Sequence, residues 1–260
     1  MKAGKKGANI PDNFYCKFIA PPPLLADFVE SIGMFHNPTD EVKEVVVMPD
    51  GRIDLFFLRS GSDKFQVLLI GLETAPEQRM IPPHTLAYVI SFKPLAVEYI
   101  LQTSIAELLN TAKELPDGFW NFSQKGLQDF DTFYQQASLR LGELLPKEID
   151  ERKRLLFNLI YSSNGEMAVK ELSERSFWSS RQINRYFTRQ FGLSLKAYCN
   201  ILRFRSSLEH IARGKLFPEL NFTDQNHFIK EVKKFSGVIP KELSKNKNDR
   251  FVLLSVLQGK

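Results

Sequence analysis

The sequence predicts an α+β chain, with an N-terminal antiparallel β sheet or partial barrel with helices, followed by an all-α C-terminal part. Three observations lead there. β-Branched and aromatic runs with turn signals crowd residues 45–92, apolar residues recur at helical spacing from Pro94, and no strand signal follows Glu151.

Residues 1–13 read as a loose arm, basic but with no apolar run behind it, so no secretory signal is expected. Pro21, Pro22 and Pro23 form a stiff lead into a short helix with Leu24, Leu25, Phe28 and Ile32 on one side. Val45–Met48 and Ile53–Leu58 are the clearest strands, flanking the turn signature Pro49-Asp50-Gly51. FQVLLIG and LAYVISF are two more, joined by LETAPEQRMIPPHT, which reads as loop or irregular edge. Val97, Ile100 and Leu101, then Ile105, Leu108 and Leu109, predict two helices, with Ser104 capping the second. ELPDGFWNFSQKG reads as loop, and a helix over 130–145 carries Phe130, Phe133, Ala137 and Leu141 on one stripe. Pro146 and the run KEIDERKR mark a boundary, giving domains 1–148 and 149–260.

Beyond the boundary every element is helical. Leu155, Leu156, Leu159 and Ile160 form one apolar face, ended by the turn dipeptide Asn164-Gly165. VKELSERS is a short helix; Ser179 or Ser180 caps the next, which Gly192 stops. Ser194 caps a long helix ending at Gly214, and DQNHFIKEVKKFSG is a further helix stopped by Gly237 with Pro240 beyond.

The charge is divided. After Asp150 there are 21 Lys plus Arg against 10 Asp plus Glu, a net of +11; up to Asp150 there are 14 against 20, a net of −6. A basic domain suits a polyanionic partner. No apolar run approaches the ~18–20 residues needed to span a bilayer, so no membrane association and a cytoplasmic location are expected. Cys16 and Cys199 give neither a disulfide framework nor zinc spacing, and fit a reducing cytosol. Burial is expected for Cys199, and only Lys17 stands near Cys16 to lower its pKa. His36, His84, His210 and His227 are dispersed, and no Cys-x-x-Cys, Gly-x-Ser-x-Gly or glycine-rich phosphate loop occurs. No enzyme activity, cofactor or metal is therefore expected.

The segment MAVKELSERSFWSSRQINRYFTRQFG reads as a helix, a tight turn and a second helix, the geometry in which the second helix enters the DNA major groove. Ile183, Tyr186 or Phe187, and Phe191 supply its apolar stripe; Arg181, Gln182, Asn184, Arg185 and Arg189 supply the polar one. Arginine can bind guanine O6 and N7 bidentately, and Asn or Gln can do the same for adenine N6 and N7.

SSRQINRYFTRQFGLSLKAYCNILRFRSSL, followed by FTDQNHFIKEVKKFSGVIPKEL, resembles the C-terminal domain of AraC-family regulators. The resemblance covers roughly residues 151–245 and is carried by Arg185, Phe187, Phe191 and Gly192, then by the pattern from Asp224 to Pro240. It implies two helix-turn-helix units joined by a long helix, both reading double-stranded DNA, in a transcription activator with RNA polymerase as a further partner. By position it implies base contacts from Arg181, Asn184 and Arg185, and from Gln225, Asn226 and Lys230 in the second unit, with Ile229 as an apolar contact. Arg189, Lys233 and Lys234 become phosphate contacts, Phe228 and Phe235 core, and Trp178 part of the turn. Only KLFPELNF separates Gly214 from Thr223, with Asn221 where the family has glycine, so the second unit's brace helix is expected to be one turn at most.

PDGRIDLFF, GLE and ISFKPLAVEYIL are similar to an uncharacterised N-terminal region of some family members, implying sensing or dimerisation with an unknown small-molecule effector. Arg52, Asp54, Glu73, Arg79, His84 and Lys93 could line a pocket, or form structural ion pairs. The helices over 97–109 and 130–145 could pair a homodimer, or pack internally. Two alternatives to sequence-specific regulation stay open: a non-specific nucleic-acid or protein-interaction module with a degenerate second unit, and a small-molecule sensor acting by protein contact.

Overall fold

In the computed structural model, residues 13–61, 65–123, 129–217 and 224–258 are described; the arm expected over 1–13 lies outside them but for Asn13. The strands are β1 (Tyr15–Ile19), β2 (Val29–Asn37), β3 (Lys43–Val47), β4 (Ile53–Arg59), β5 (Phe65–Ile70), β6 (Glu77–Ile81), β7 (Thr85–Phe92) and β8 (Ala112–Leu115). Six of them form one antiparallel sheet in the order β1-β2-β7-β4-β5-β8, while β3 and β6 form a separate two-stranded ribbon. In β4 the period of two is plain, with Ile53, Leu55 and Phe57 buried at alternate positions. The two runs flanking Pro49-Asp50-Gly51 do not pair with each other. β3 joins the ribbon and β4 the main sheet, so this turn, with Gly51 at φ +78°, is the crossing between them.

Helix α2 (Phe130–Glu143) is capped by Asp129, whose carboxylate accepts the Thr132 amide. It buries Phe130, Phe133, Ala137 and Leu141; the Phe133 ring lies 4.7 Å from that of Tyr88 and 5.6 Å from that of Phe57. The stripe offered for a homodimer is thus spent on the chain's own sheet.

Several expectations are corrected. The helix after Pro23 is only a 3-10 turn, Pro23–Leu25, and Ile32 belongs to β2, where a Cβ on Gly33 would lie 2.4 Å from the Phe18 ring. Close strand approach, not helical spacing, explains that stretch. Residues 77–81 pair as β6 instead of looping, and β8 reaches into the expected loop after residue 113. Of the two helices expected over 97–109 only α1 (Leu95–Tyr99) and a 3-10 turn at Ala106–Leu108 form. Ile100 and Ile105 are nevertheless buried, so the apolar spacing reports packing rather than continuous helix.

The C-terminal helices are α3 (Glu151–Ser162), α4 (Val169–Arg175), α5 (Ser180–Phe191), α6 (Leu195–Ala212), α7 (Gln225–Ser236), α8 (Pro240–Lys245) and α9 (Val252–Leu257). On α3, Phe157 takes the buried place read for Leu155, which is partly exposed. Two cores hold the helices to the sheets. One joins Phe57, Tyr88 and Phe92 of the main sheet to Phe157, Ile183, Phe187, Phe191 and Tyr198. The other joins Val46 of the ribbon and Met48 just after it to Phe204, Phe228, Val232, Phe235 and Phe251. The α4–α5 pair therefore shares its core with the main sheet, and α7 shares its core with residues at the ribbon. The latter tie includes a bridge from Val46 to Phe251, with the Val46 amide donating to the Arg250 carbonyl at 2.6 Å.

Candidate nucleic-acid interface

Helix α5 is built as a presenting surface. Ser179 caps it, accepting the Gln182 amide at 3.3 Å, while Gln182 Oε1 accepts from the Ser179 amide and hydroxyl at 3.2 and 2.7 Å. Gln182, expected among the base-reading groups, thus has its carboxamide oxygen committed to the helix start. Ile183, Phe187 and Phe191 are fully buried, settling the apolar stripe on Phe187 rather than Tyr186. Arg181, Arg185 and Arg189 each stand two residues before one of them, about 200° around the helix, and are exposed. Asn184 lies at the edge of this stripe, half-buried, its amide donating to the Ser180 carbonyl at 3.0 Å. Arg181 and Arg185 form no ion pair among the described residues.

Helix α7 repeats the pattern. Asp224 caps it through the His227 amide at 2.8 Å; Phe228, Val232 and Phe235 are buried, and Gln225, Asn226, Lys230, Lys233 and Lys234 are exposed. Ile229 is half-buried, and Lys234 Nζ rests 4.7 Å over the Phe235 ring. The two helix starts differ electrostatically. A neutral serine leaves the positive end of α5 open to phosphate, whereas the Asp224 carboxylate occupies that of α7. Most of KLFPELNF, Asn221 included, lies outside the described residues.

The far end of α5 is fastened to the N-terminal part. Ser104 Oγ donates to the Arg189 carbonyl at 2.8 Å, and the Ile105 amide to that of Gln190 at 2.9 Å. Glu98 takes Lys153 Nζ at 2.5 Å and the Tyr186 hydroxyl at 3.1 Å; burial and then this carboxylate raise the Tyr186 pKa. Trp178 packs in the turn as expected, 5.2 Å from the Tyr186 ring. Gly192 ends α5 at φ +76°, where a Cβ would lie 2.7 Å from the Ala106 carbonyl oxygen. Gly192→Ala is expected to cost about 2 kcal/mol from the left-handed backbone and the forced shift, read as a lowered midpoint in urea.

The Asp50-Gly51 turn also packs against the helices. The Tyr198 hydroxyl donates to the Gly51 carbonyl at 3.1 Å, and a Cβ on Gly51 would lie 2.9 Å from Leu202. Beside it Glu30, a residue the sequence did not single out, binds Arg205 directly and stands 3.7 Å from both Arg52 and Lys93. Arg52 also pairs with Asp50 at 3.3 Å. Glu30, Arg52, Lys93 and Arg205, with Tyr161 and Leu253, line a cavity of about 310 Å³ between sheet and helices. Of the other polar residues considered for a pocket, Arg79 pairs with Glu77 at 2.6 Å and His84 with Asp40 at 2.8 Å. Burial, then repulsion from Asp50, pushes Asp54 up to about 7, and burial with Asp50 and Asp54 nearby pushes Glu73 up to about 8. Both carboxyls bind protons more tightly folded than unfolded, so they withdraw stability as pH rises from about 4 to 8. Asp54→Asn is expected to raise the melting temperature at pH 8 and to leave it nearly unchanged at pH 4.

Burial pushes the Cys199 thiol up to about 12 and the Cys16 thiol up to about 11, away from thiolate chemistry. Among the described residues no group of His, Cys, Asp and Glu is arranged to hold a metal, and no helix is long and apolar enough to cross a membrane.

Residues 17–114 match a family model described as "Domain of unknown function (DUF6597)". No curated protein matches the chain. Among solved structures it is similar to ToxT from Vibrio cholerae. A structure of the apo protein shares 12% identity at a TM-score of 0.43, over 87% of this chain and 99% of that one. A second ToxT structure shares 11% identity at a TM-score of 0.44, over 82% and 97%.

Proposed function

We propose that the chain is a sequence-specific DNA-binding transcription regulator that reads adjacent major-groove segments with α5 and α7. The observation that carries this reading is the face of α5, where Arg181 and Arg185 stand exposed and, among the described residues, without ion pairs opposite Ile183 and Phe187. Two guanidinium groups on a rigid helix can read guanines directly, and the net +11 after Asp150 supplies the phosphate attraction. Arg189, Lys233 and Lys234 serve as phosphate contacts, which fix register without specifying sequence. Gln225, Asn226 and Lys230, with Ile229 beside them, read the second segment. Residues 149–260 form the DNA-binding domain and 1–148 the sensing or dimerising one, in an activator working in the cytoplasm with RNA polymerase.

Electrophoretic shifts of the full chain on its own upstream DNA test this. Specific duplex should compete roughly a thousandfold or more better than random duplex, the lower end of the usual range for specific readers. Equal competition, with a steep salt dependence, would favour a non-specific module instead.

A further inference from the structure

The turn between α4 and α5 holds a residue that the chain's own stability does not explain. Phe177 is 82% exposed, and its backbone sits at φ +53°, in the left-handed region that bulky residues rarely adopt. Its neighbour Trp178 packs against Tyr186, and Ser176 is fully buried, so the turn is anchored on both sides without the Phe177 ring. Glycine would fit this backbone better and would expose no apolar ring. A residue unfavourable on both counts points to a partner outside the chain.

Its position names that partner. Phe177 lies two residues before the Ser179 cap of α5, at the end of the helix that enters the groove, in the same turn-and-helix start as exposed Arg181. Because the Gln182 carboxamide oxygen is tied into the capping box, the start of α5 reads bases with fewer polar groups than the sequence offers. An exposed aromatic ring there can meet the one apolar feature of the major groove, the thymine C5-methyl.

We propose that Phe177 is a specificity-determining DNA contact, packing its ring on a thymine methyl at the edge of the segment read by α5. This inference rests on the DNA-binding reading above. The test uses the full chain, a duplex that the wild type selects, and copies of it with each thymine replaced in turn by deoxyuridine, which lacks only the methyl. Phe177→Gly is expected to raise the melting temperature while weakening binding roughly tenfold, as expected for loss of one buried aromatic contact. One thymine-to-deoxyuridine change is expected to weaken the wild type roughly fourfold and to leave the glycine variant unaffected. Phe177→Ala, which keeps the strained backbone, should lose affinity without gaining stability. Wild-type affinity in both variants, or the same response to every deoxyuridine in wild type and glycine variant, would overturn the assignment while leaving DNA reading intact. A wild type that selects no duplex would overturn both.

Discussion

Glu30→Ala is expected to lower the stability of the full chain by about 3 kcal/mol, the cost of leaving cations of a partly buried cluster without their carboxylate. Glu30 serves Arg205 directly and has Arg52 and Lys93 within 3.7 Å, each of the four side chains about one quarter exposed or less. Burial alone would raise its pKa, but Arg205, Arg52 and Lys93 more than offset that, so the carboxyl is held below its usual value of 4.5. Such a group contributes stability that is fully present above pH 4.5 and lost as the pH falls through the lower folded value. The wild type and Glu30→Ala should therefore differ at pH 7 in urea titrations and converge in acid. Equal stability at pH 7 would mean that the cluster does not hold sheet and helices together. The expected effect extends to the proposed function, because Arg205 lies on α6, between α5 and α7, the two helices proposed to read DNA.

The second large effect concerns recognition. Arg185→Ala is expected to weaken specific binding by about 1–3 kcal/mol, roughly ten- to a hundredfold, and to relax one base position. The fold should be unaffected, since Arg185 is exposed and its removal opens no cavity. Lys234→Ala serves as the contrast, weakening all sequences alike and reducing the salt slope by about one. An Arg185→Ala chain with unchanged base preference would move that side chain from the bases to the phosphates.

The helical half was legible because its signals are local. Ser194, Gly192 and Gly237 mark the helix ends they were read for, Ser179 rather than Ser180 is the cap of α5, and Phe187, Phe191, Phe228 and Phe235 are buried. The sheet was legible in β4 and β5, where the period of two is clean, and in β7, whose apolar run is buried on both faces. β6 was missed because prolines and charges surround a strand that pairs, among the described residues, with β3 alone. The 97–109 stretch misled because buried residues in short turns can copy helical spacing, as Ile100 and Ile105 do. Nothing in the sequence joins Glu30 to Arg205, or Gly51 to Tyr198; those pairs are made by folding across 175 and 147 residues. For the same reason the sharing of cores, main sheet with α5 and Val46 with α7, could not be read in advance. Phe177 was invisible as well, since a φ of +53° on a phenylalanine has no sequence signature.

The most direct measurement is selection of bound DNA. Genomic fragments retained by the full-length protein would be sequenced and compared with those retained by Arg181→Ala/Arg185→Ala. The expected result is a motif of two short blocks about one helical turn apart, of which the double variant loses the block read by α5 and keeps the other. Fragments with no shared motif in the wild type, or a motif that the double variant leaves unchanged, would contradict the assignment of α5 as the reading helix.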